Sequence, residues 1–231
     1  MEHYYTPAEN ISGNNLTIGG DEAKHLAKVL RKTPGSEIFV TDGLGHLYKC
    51  RIDSLGKSDI NCFIIGTEVM ANEPEIKLTA YISILKNPDR FEFAVEKLTE
   101  LGVHAIRPIV TERVISKTKN KTARWQSIAL SAMKQSRRSW LPPVSEPVKF
   151  ADAITNCTGV TKLIAHEKGA LPLHVERGPG GEVALFVGPE GGFTDEEVKL
   201  AEDNGFNVIS LGARKYRSET AAIAAAAMIL I

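Results

Sequence analysis

The segment LFVGPEGGFTDEEV, Leu185 to Val198, passes from an unbroken apolar run to a proline with three glycines around one glutamate. A threonine then opens an acidic stretch. The apolar run has the length and composition of a buried strand, and the acidic stretch those of a first helical turn. A glycine-rich turn between strand and helix commonly cradles phosphate, yet no G-x-G-x-x-G and no G-x-x-x-x-G-K-[ST] occurs in the chain. Thr194 and Glu197 have the spacing of a capping box, with Asp195 and Glu196 between them. That helix start is therefore filled by its own hydroxyl and ringed by carboxylates, and a phosphate would be repelled there. Dinucleotide chemistry, and a nicotinamide oxidoreductase with it, is disfavoured. A phosphate-free cofactor carrying positive charge fits, and S-adenosylmethionine has both a sulfonium and an ammonium. The plain alternative is a tight turn entering a capped helix.

Two other strand ends stand out beside this turn. SLGARKYRSETAAIAAAAMIL runs from a strand through Gly212 to Arg214, Lys215 and Arg217, and on into an alanine-dominated helix. Three bases beside a glycine crevice suit an RNA phosphate or a developing anion, against the plain alternative of a solvated charged loop. LIAHE, ending in Ala165 and His166 before Glu167, supplies the third end. Ligands of open parallel sheets sit beyond the carboxyl ends of strands, so Gly188, Gly191, Gly192 and Gly212 mark one crevice. A helix with alanine on nearly every face is expected to pack closely against a neighbour or a second subunit.

Upstream, Ile76, Leu78, Ala80, Ile82 and Ile84 alternate as in a strand. Phe91, Ala94, Val95, Leu98 and Leu101 then lie on one helical face, which Gly102 ends. VHAIRPIV reads as a strand, and TARWQSIALSAMKQS as a helix with Trp125, Ile128, Ala129, Ala132 and Met133 inward. VTKLIA, VALFVG and NVISLG add three strands. Helices between most strands predict a parallel sheet covered on both faces. Before MANEPE the pattern differs. DEAKHLAKVLRK reads as one helix through Ala23, Leu26, Ala27 and Leu30, and EIFVTDGLGHLYKCRI and INCFIIGTEV as three strands of a small barrel or curled sheet.

The formal net charge is zero, so any nucleic-acid affinity must come from a local basic patch. Cys50, Cys62 and Cys157 form no C-x-x-C pair, which predicts reduced thiols and neither a disulfide frame nor a zinc site. MEHYYTPAEN lacks the pattern of a signal peptide, and the apolar run from Ala221 to Ile231 is far shorter than the ~20 residues of a membrane span. A soluble cytoplasmic protein without metal or membrane partner is expected.

Together, FVGPEGGFTDEEV and LGARKYRSETAAIAA resemble the ribosomal small-subunit RNA methyltransferase E family of the SPOUT superfamily, the uracil-N3 methyltransferases of 16S ribosomal RNA. The family's last motif commonly reads L-G-P-R-I-L-R-T-E-T-A. Leu211, Gly212, Arg214, Arg217, Glu219, Thr220 and Ala221 match it, and Ala213, Lys215, Tyr216 and Ser218 depart. His25, Val29, Leu30 and Arg31 are similar to an N-terminal H-x-x-x-V-L-R segment. KNPDRFEFAVEKLTELGVHAIRPIVTERV resembles the central block, including Lys86, Glu92, Glu100, Leu101, Gly102 and Arg113. Gln135, Ser136, Arg138 and Pro142 match E-Q-S-G-R-x-x-x-P, while Lys134 and Arg137 replace its acid and its glycine.

The resemblance implies an α/β protein with a PUA-like RNA-binding β-barrel over residues 1–71. A SPOUT methyltransferase domain with a deep trefoil knot would occupy residues 74–231. It implies a homodimer, S-adenosylmethionine as methyl donor, and 16S ribosomal RNA or the small ribosomal subunit as partner. The catalytic candidates are Arg217 and Arg214, for charge developing on the deprotonated uracil, with Glu219 for proton removal or for orienting an arginine. The cofactor candidates are Gly188, Glu190, Gly191, Gly192, Leu211, Gly212, Ala165 and His166, with a structural role for the histidine as the plain alternative. The RNA candidates are Arg31, Lys86, Arg113, Gln135 and Arg138, with Trp140 as a stacking surface. A different base or a ribose 2′-oxygen as target, and a non-catalytic RNA-binding assembly factor, remain the competing readings.

Overall fold

Two hydrophobic periods, two residues in the first third and a strand–helix alternation after it, build two separate cores. The computed structural model describes residues 3–29, 31–114, 121–158, 161–169, 171–172 and 181–231. It divides into two compact units, Met1–Glu73 with Met133–Leu141, and Pro74–Ala132 with Pro142–Ile231.

The first unit contains β1 (His3–Tyr5), β2 (Ile11–Ser12), β3 (Asn15–Gly19), α1 (Gly20–Lys24), β4 (Glu37–Thr41), β5 (His46–Leu55) and β6 (Asp59–Val69). One sheet runs in the order β1-β4-β5-β6-β3-β2, antiparallel except for β1 on β4. Every second residue points inward: Leu16 and Ile18, Ile38 and Val40, Cys50 and Ile52, Ile60 and Cys62 are all buried. Register shifts at Lys49/Cys50 and Ile52/Ser54 bend the two longest strands, as bulges do. The single helix expected over residues 21–32 is instead short. It ends at Lys24, and His25–Val29 continue as a wider π turn; Leu30 lies outside the described residues.

Residues 133–141 join this unit through backbone bonds. Gly45 N donates to Ser139 O at 3.0 Å, and Leu141 N donates to Gly43 O at 2.9 Å. The glycine turn between β4 and β5 permits this, since Gly43 and Gly45 have φ of 73° and 99°.

The second unit contains β7 (Lys77–Ser83), α2 (Pro88–Leu101), β8 (Ala105–Val110), α3 (Thr122–Gln135), β9 (Val148–Lys149), α4 (Phe150–Thr155), β10 (Thr161–Ala165), β11 (Leu171–Pro172), β12 (Glu182–Val187), α5 (Asp195–Asp203), β13 (Asn207–Ser210) and α6 (Ser218–Leu230). The last turn of α3 is shared with the first unit. The sheet is parallel throughout, in the order β11-β13-β10-β12-β7-β8-β9. β13 inserts between two strands that precede it in the chain. In β12 every residue from Val183 to Val187 is buried, as a strand covered on both faces requires. Ala184 and Phe186 face α4 and α5 in a cluster with Phe150, Phe193 and Phe206, and Tyr81 stacks on Phe186 at 4.1 Å. α2 and α6 pack together, with α6 also against β7 and β12.

α2 follows the expected pattern, burying Phe91, Ala94, Val95 and Leu98, while Leu101 is half-buried and Thr99 takes the remaining inward place. Asn87 caps its start and Gly102, at φ 101°, ends it. An added Cβ there would meet Pro74 Cγ at 2.5 Å, so the helix stop is also a close backbone approach.

Candidate active site

The carboxyl ends of β10, β12 and β13 open into one cavity of about 700 Å³, bordered by the turn after β8 and the first turn of α2. Its size is that of a small-molecule site. Ala165 and His166, Gly188 to Phe193, and Ser210 to Ser218 line it, joined by Arg90 and Arg113. All eight cofactor candidates lie on this lining: Ala165, His166, Gly188, Glu190, Gly191, Gly192, Leu211 and Gly212. Arg214 and Arg217 lie there too.

The turn after β12 is shaped by its own backbone and by two neighbours. Gly192 N donates to Pro189 O at 2.9 Å, with Gly192 at φ 68°. A Cβ on Gly188 would sit 3.2 Å from Phe193, and one on Gly191 would sit 3.2 Å from Arg113 Cδ. Arg113 Nη1 donates to Gly191 O and, at 3.4 Å, to Phe193 O. Glu190 Oε1 accepts from Lys86 N at 3.2 Å, tying the turn to the segment after β7.

The capping box at the start of α5 is present as the sequence predicts. Thr194 Oγ1 accepts from Glu197 N at 3.1 Å, and Glu197 Oε2 accepts from Thr194 N at 2.9 Å. Glu197 Oε1 also accepts from Glu112 N at 2.9 Å. The buried carboxylate thus accepts two backbone N–H groups and sets its own negative charge at this helix start, which disfavours a phosphate there.

Charge around the cavity is mixed, and most of it is engaged. Lys168 pairs with Asp195 at 3.2 Å, and Lys215 with Glu167 at 3.8 Å. Arg214 Nε donates to Tyr216 Oη at 3.3 Å, with its guanidinium 6.0 Å from that ring's centre. His166 Nδ1 accepts from Lys168 N at 3.2 Å, which directs that nitrogen to the backbone. Gly212, at φ 102°, turns the chain from β13 into the basic loop. A bare main chain, a capped helix and the carboxylates Glu167, Glu190 and Asp195 fit a cationic, phosphate-free nucleoside. Among the described residues no cluster of three His, Cys, Asp or Glu is placed to hold a metal ion, and no helix is long and apolar enough to cross a membrane.

Three expected residues sit differently. Arg138, read as a phosphate ligand, is 2% exposed and forms a buried pair with Glu73, so its guanidinium is withdrawn from any nucleic acid. Arg113 braces the glycine turn, its Nη1 already committed to two carbonyls. Glu219 is buried and is absent from the cavity lining, with Oε1 3.7 Å from Arg90 Nε. Arg31 and Gln135 are exposed on the first unit, and Lys86 on the second. Trp140 is half-buried, its N–H of the backbone bonded to Glu73 at 2.9 Å.

Arg90 is the residue sequence reasoning missed. A signal existed: the first turn of a helix favours acids over bases, so an arginine three residues after the Asn87 cap runs against the dipole and calls for another reason to be there.

Comparison with known proteins agrees with this geometry. Residues 72–230 match a family described as an RNA methyltransferase domain, and residues 18–65 one described as an RNA methyltransferase PUA domain. The chain is 33% identical to the ribosomal RNA small subunit methyltransferase E of Bacillus subtilis, over 99% of this chain and 96% of that one. The protein of the same name from Synechocystis is 34% identical, over 96% of this chain and 74% of that one. The crystal structure of such an enzyme from Neisseria gonorrhoeae, bound to S-adenosyl methionine, superposes with a TM-score of 0.88 at 36% identity, covering 99% of this chain and 96% of that one.

Proposed function

This chain belongs to the ribosomal RNA small subunit methyltransferase E family, and from that premise we propose that it methylates N3 of a uracil in 16S ribosomal RNA with S-adenosylmethionine as donor. The observation that carries the reading is one cavity formed by three strand ends, two of them glycine-rich, beside a helix start capped by its own threonine and glutamate.

In this reading backbone groups around Gly188, Gly191, Gly192, Leu211 and Gly212 hold the nucleoside donor, with Ala165 and His166 on its flank. Glu190, one oxygen of which is held by Lys86 N, faces the donor's cationic or hydroxyl groups. When bound, the donor supplies an electrophilic methyl carbon on a sulfonium. The protein's part is to place the uracil nitrogen in line with that carbon and to favour loss of its proton. Negative charge then spreads over N3 and the two flanking carbonyl oxygens. Arg217, exposed at the start of α6, and Arg214, steadied by Tyr216, are the guanidiniums that meet it. Glu219, behind the cavity wall and beside Arg90, serves as an orienting group in preference to a proton acceptor.

The first unit is the RNA-binding part of the same proposal, with Arg31 and Gln135 exposed on it and Lys86 contributing from the second. A homodimer belongs to it as well, since Phe93 on α2 and Met228 on α6 expose apolar surface on two helices that pack together. The trefoil path belongs to the same proposal, supported by the insertion of β13 between β11 and β10, two strands that precede it in the chain; residues 173–180 lie outside the described residues. Three buried free thiols suit the reducing cytoplasm.

The test is the nucleoside content of 16S ribosomal RNA from cells lacking this protein. N3-methyluridine is expected to be missing and to return on incubation with purified protein and S-adenosylmethionine. A missing 2′-O-methyl nucleoside or other methylated base would replace the uracil assignment, and unchanged RNA with no cofactor binding would leave an assembly factor.

A further inference from the structure

Six cations border the cavity: Arg90, Arg113, Lys168, Arg214, Lys215 and Arg217. Four have partners that account for them. Arg113 donates to two carbonyls, Lys168 and Lys215 pair with carboxylates, and Arg214 bonds Tyr216. Arg217, together with Arg214, is proposed above for the reacting base. That leaves Arg90, whose only ionic partner among the described residues is Glu219, at 3.7 Å from Nε.

The pair is unusual in its burial. Glu219 is 8% exposed at the side chain, whereas Arg90 is 34% exposed and reaches the cavity. Glu219 Oε2 is buried without a hydrogen-bond partner in the structure. A buried carboxylate left half-satisfied is costly, so its retention calls for a reason beyond packing. Its location favours it, because Glu219 lies in the first turn of α6, where the helix dipole stabilises negative charge. The ion pair with Glu219 approaches Arg90 at Nε, and among the described residues its two terminal amino groups have no ionic partner, a fork that fits a phosphate. Arg90 also sits on α2, which follows β7, while the cofactor candidates come from the ends of β10, β12 and β13. It therefore reaches the cavity from the β7 side of the sheet, next to β12 and away from β10 and β13.

We propose that Arg90, positioned by Glu219, binds a phosphate of the RNA strand that carries the target nucleotide. The inference rests on the methyl-transfer reading above and adds to it the contact that seats the RNA in the cavity.

Single-turnover methylation of 16S ribosomal RNA, measured against RNA concentration at several salt concentrations, tests it. For Arg90→Ala the half-saturating RNA concentration is expected to rise about tenfold, the loss of one charge-assisted contact. The logarithmic salt slope should shrink by about one, while S-adenosylmethionine affinity by calorimetry stays within twofold. Arg90→Lys should recover most of the RNA affinity, and Glu219→Gln should reproduce part of the loss with the same salt signature. Reduced cofactor affinity in Arg90→Ala, or an unchanged RNA concentration dependence and salt slope, overturns the inference. Should Arg90→Ala fail to fold by circular dichroism, Arg90→Gln, uncharged but similar in reach, decides between the same outcomes. Failure of the unmodified protein to bind the cofactor or methylate RNA would instead defeat the methyl-transfer reading itself.

Discussion

Arg138 and Glu73 form an ion pair with only 3% of either side chain exposed, Nη2 lying 2.6 Å from Oε2. Nε of the arginine donates to the same oxygen at 3.0 Å, and Glu73 Oε1 accepts from Ser139 N and Trp140 N, each at 2.9 Å. Every oxygen of the carboxylate is thereby used, and the segment 138–140 is fixed to the end of the first unit's chain. Removing one partner strands a buried charge, so Glu73→Ala is expected to lower stability by about 3–5 kcal/mol in urea denaturation. A loss below about 1 kcal/mol would show that the pair is not closed in solution.

That pair also marks the limit of what the sequence discloses. Arg138 stands in a basic run, SRRSW, and its acid lies 65 positions away, so no local pattern separates a buried arginine from an exposed one. Arg113 is equally far from its acceptor, Gly191, at 78 positions. By contrast, α2, β4 to β6 and the cap of α5 are legible because each depends on spacings of two to four residues. The two-residue strands β9 and β11 carry no period to read. The helix predicted from residue 21 gives way after Lys24 to a π turn over His25–Val29, a change of winding that the local apolar spacing does not announce. The cavity was legible as two glycine-bearing strand ends and a third beside them, and Arg90 was not, because it sits on a helix turn rather than a glycine loop.

Glycines of the cavity and a glycine away from it separate ligand effects from backbone strain. Gly192 and Gly212 have φ of 68° and 102°, and Gly205, which follows α5 and does not line the cavity, has φ of 81°. Alanine at each costs about 1–2 kcal/mol of stability, the ordinary cost of a left-handed residue. Only Gly192→Ala and Gly212→Ala should also weaken S-adenosylmethionine binding, by roughly tenfold if each displaces one backbone contact. Equal cofactor affinity in all three variants would remove the glycine turns from the binding site.

Arg113→Ala tests the brace on the glycine turn. Its guanidinium holds the carbonyls of Gly191 and Phe193, so its loss is expected to weaken the cofactor about tenfold. The salt dependence of RNA binding should be unchanged, because Nη1 is committed to two carbonyls of the turn. A reduced salt slope with intact cofactor affinity would return Arg113 to the role of an RNA ligand.

The thiols supply a probe of the first unit's core. Burial pushes Cys50 and Cys62 up to about 12, so at pH 8 neither presents an appreciable thiolate. Both thiols lie in the apolar core of the first sheet, and Cys157 is buried in that of the second. A disulfide reagent at pH 8 should label almost none of the three cysteines in the folded protein and all three after denaturation. Rapid labelling of Cys50 or Cys62 under native conditions would mean that the first core opens well below global unfolding.

His3 gives the same unit a dependence on acid. Its ring is 7% exposed, lies 5.8 Å from Phe39, and leaves Nδ1 buried without a partner. Burial therefore holds its pKa below the ordinary 6.5, against an opposing hydrogen bond to the backbone of Arg138 and with the nearby charge of Arg137 acting in the same direction as burial. Above 6.5 the histidine is neutral in both states and contributes no slope. As pH falls below that value the unfolded chain binds the proton first, so stability drops, by up to about 1.4 kcal/mol per pH unit, until the folded ring also titrates. His3→Phe keeps an aromatic ring beside Phe39 and removes the titrating group. The variant's stability, measured by urea denaturation at pH 8 and at pH 5, should fall less on acidification than that of the unmodified protein. Identical losses in the two proteins would mean that His3 takes up its proton in the folded state as readily as in the unfolded chain.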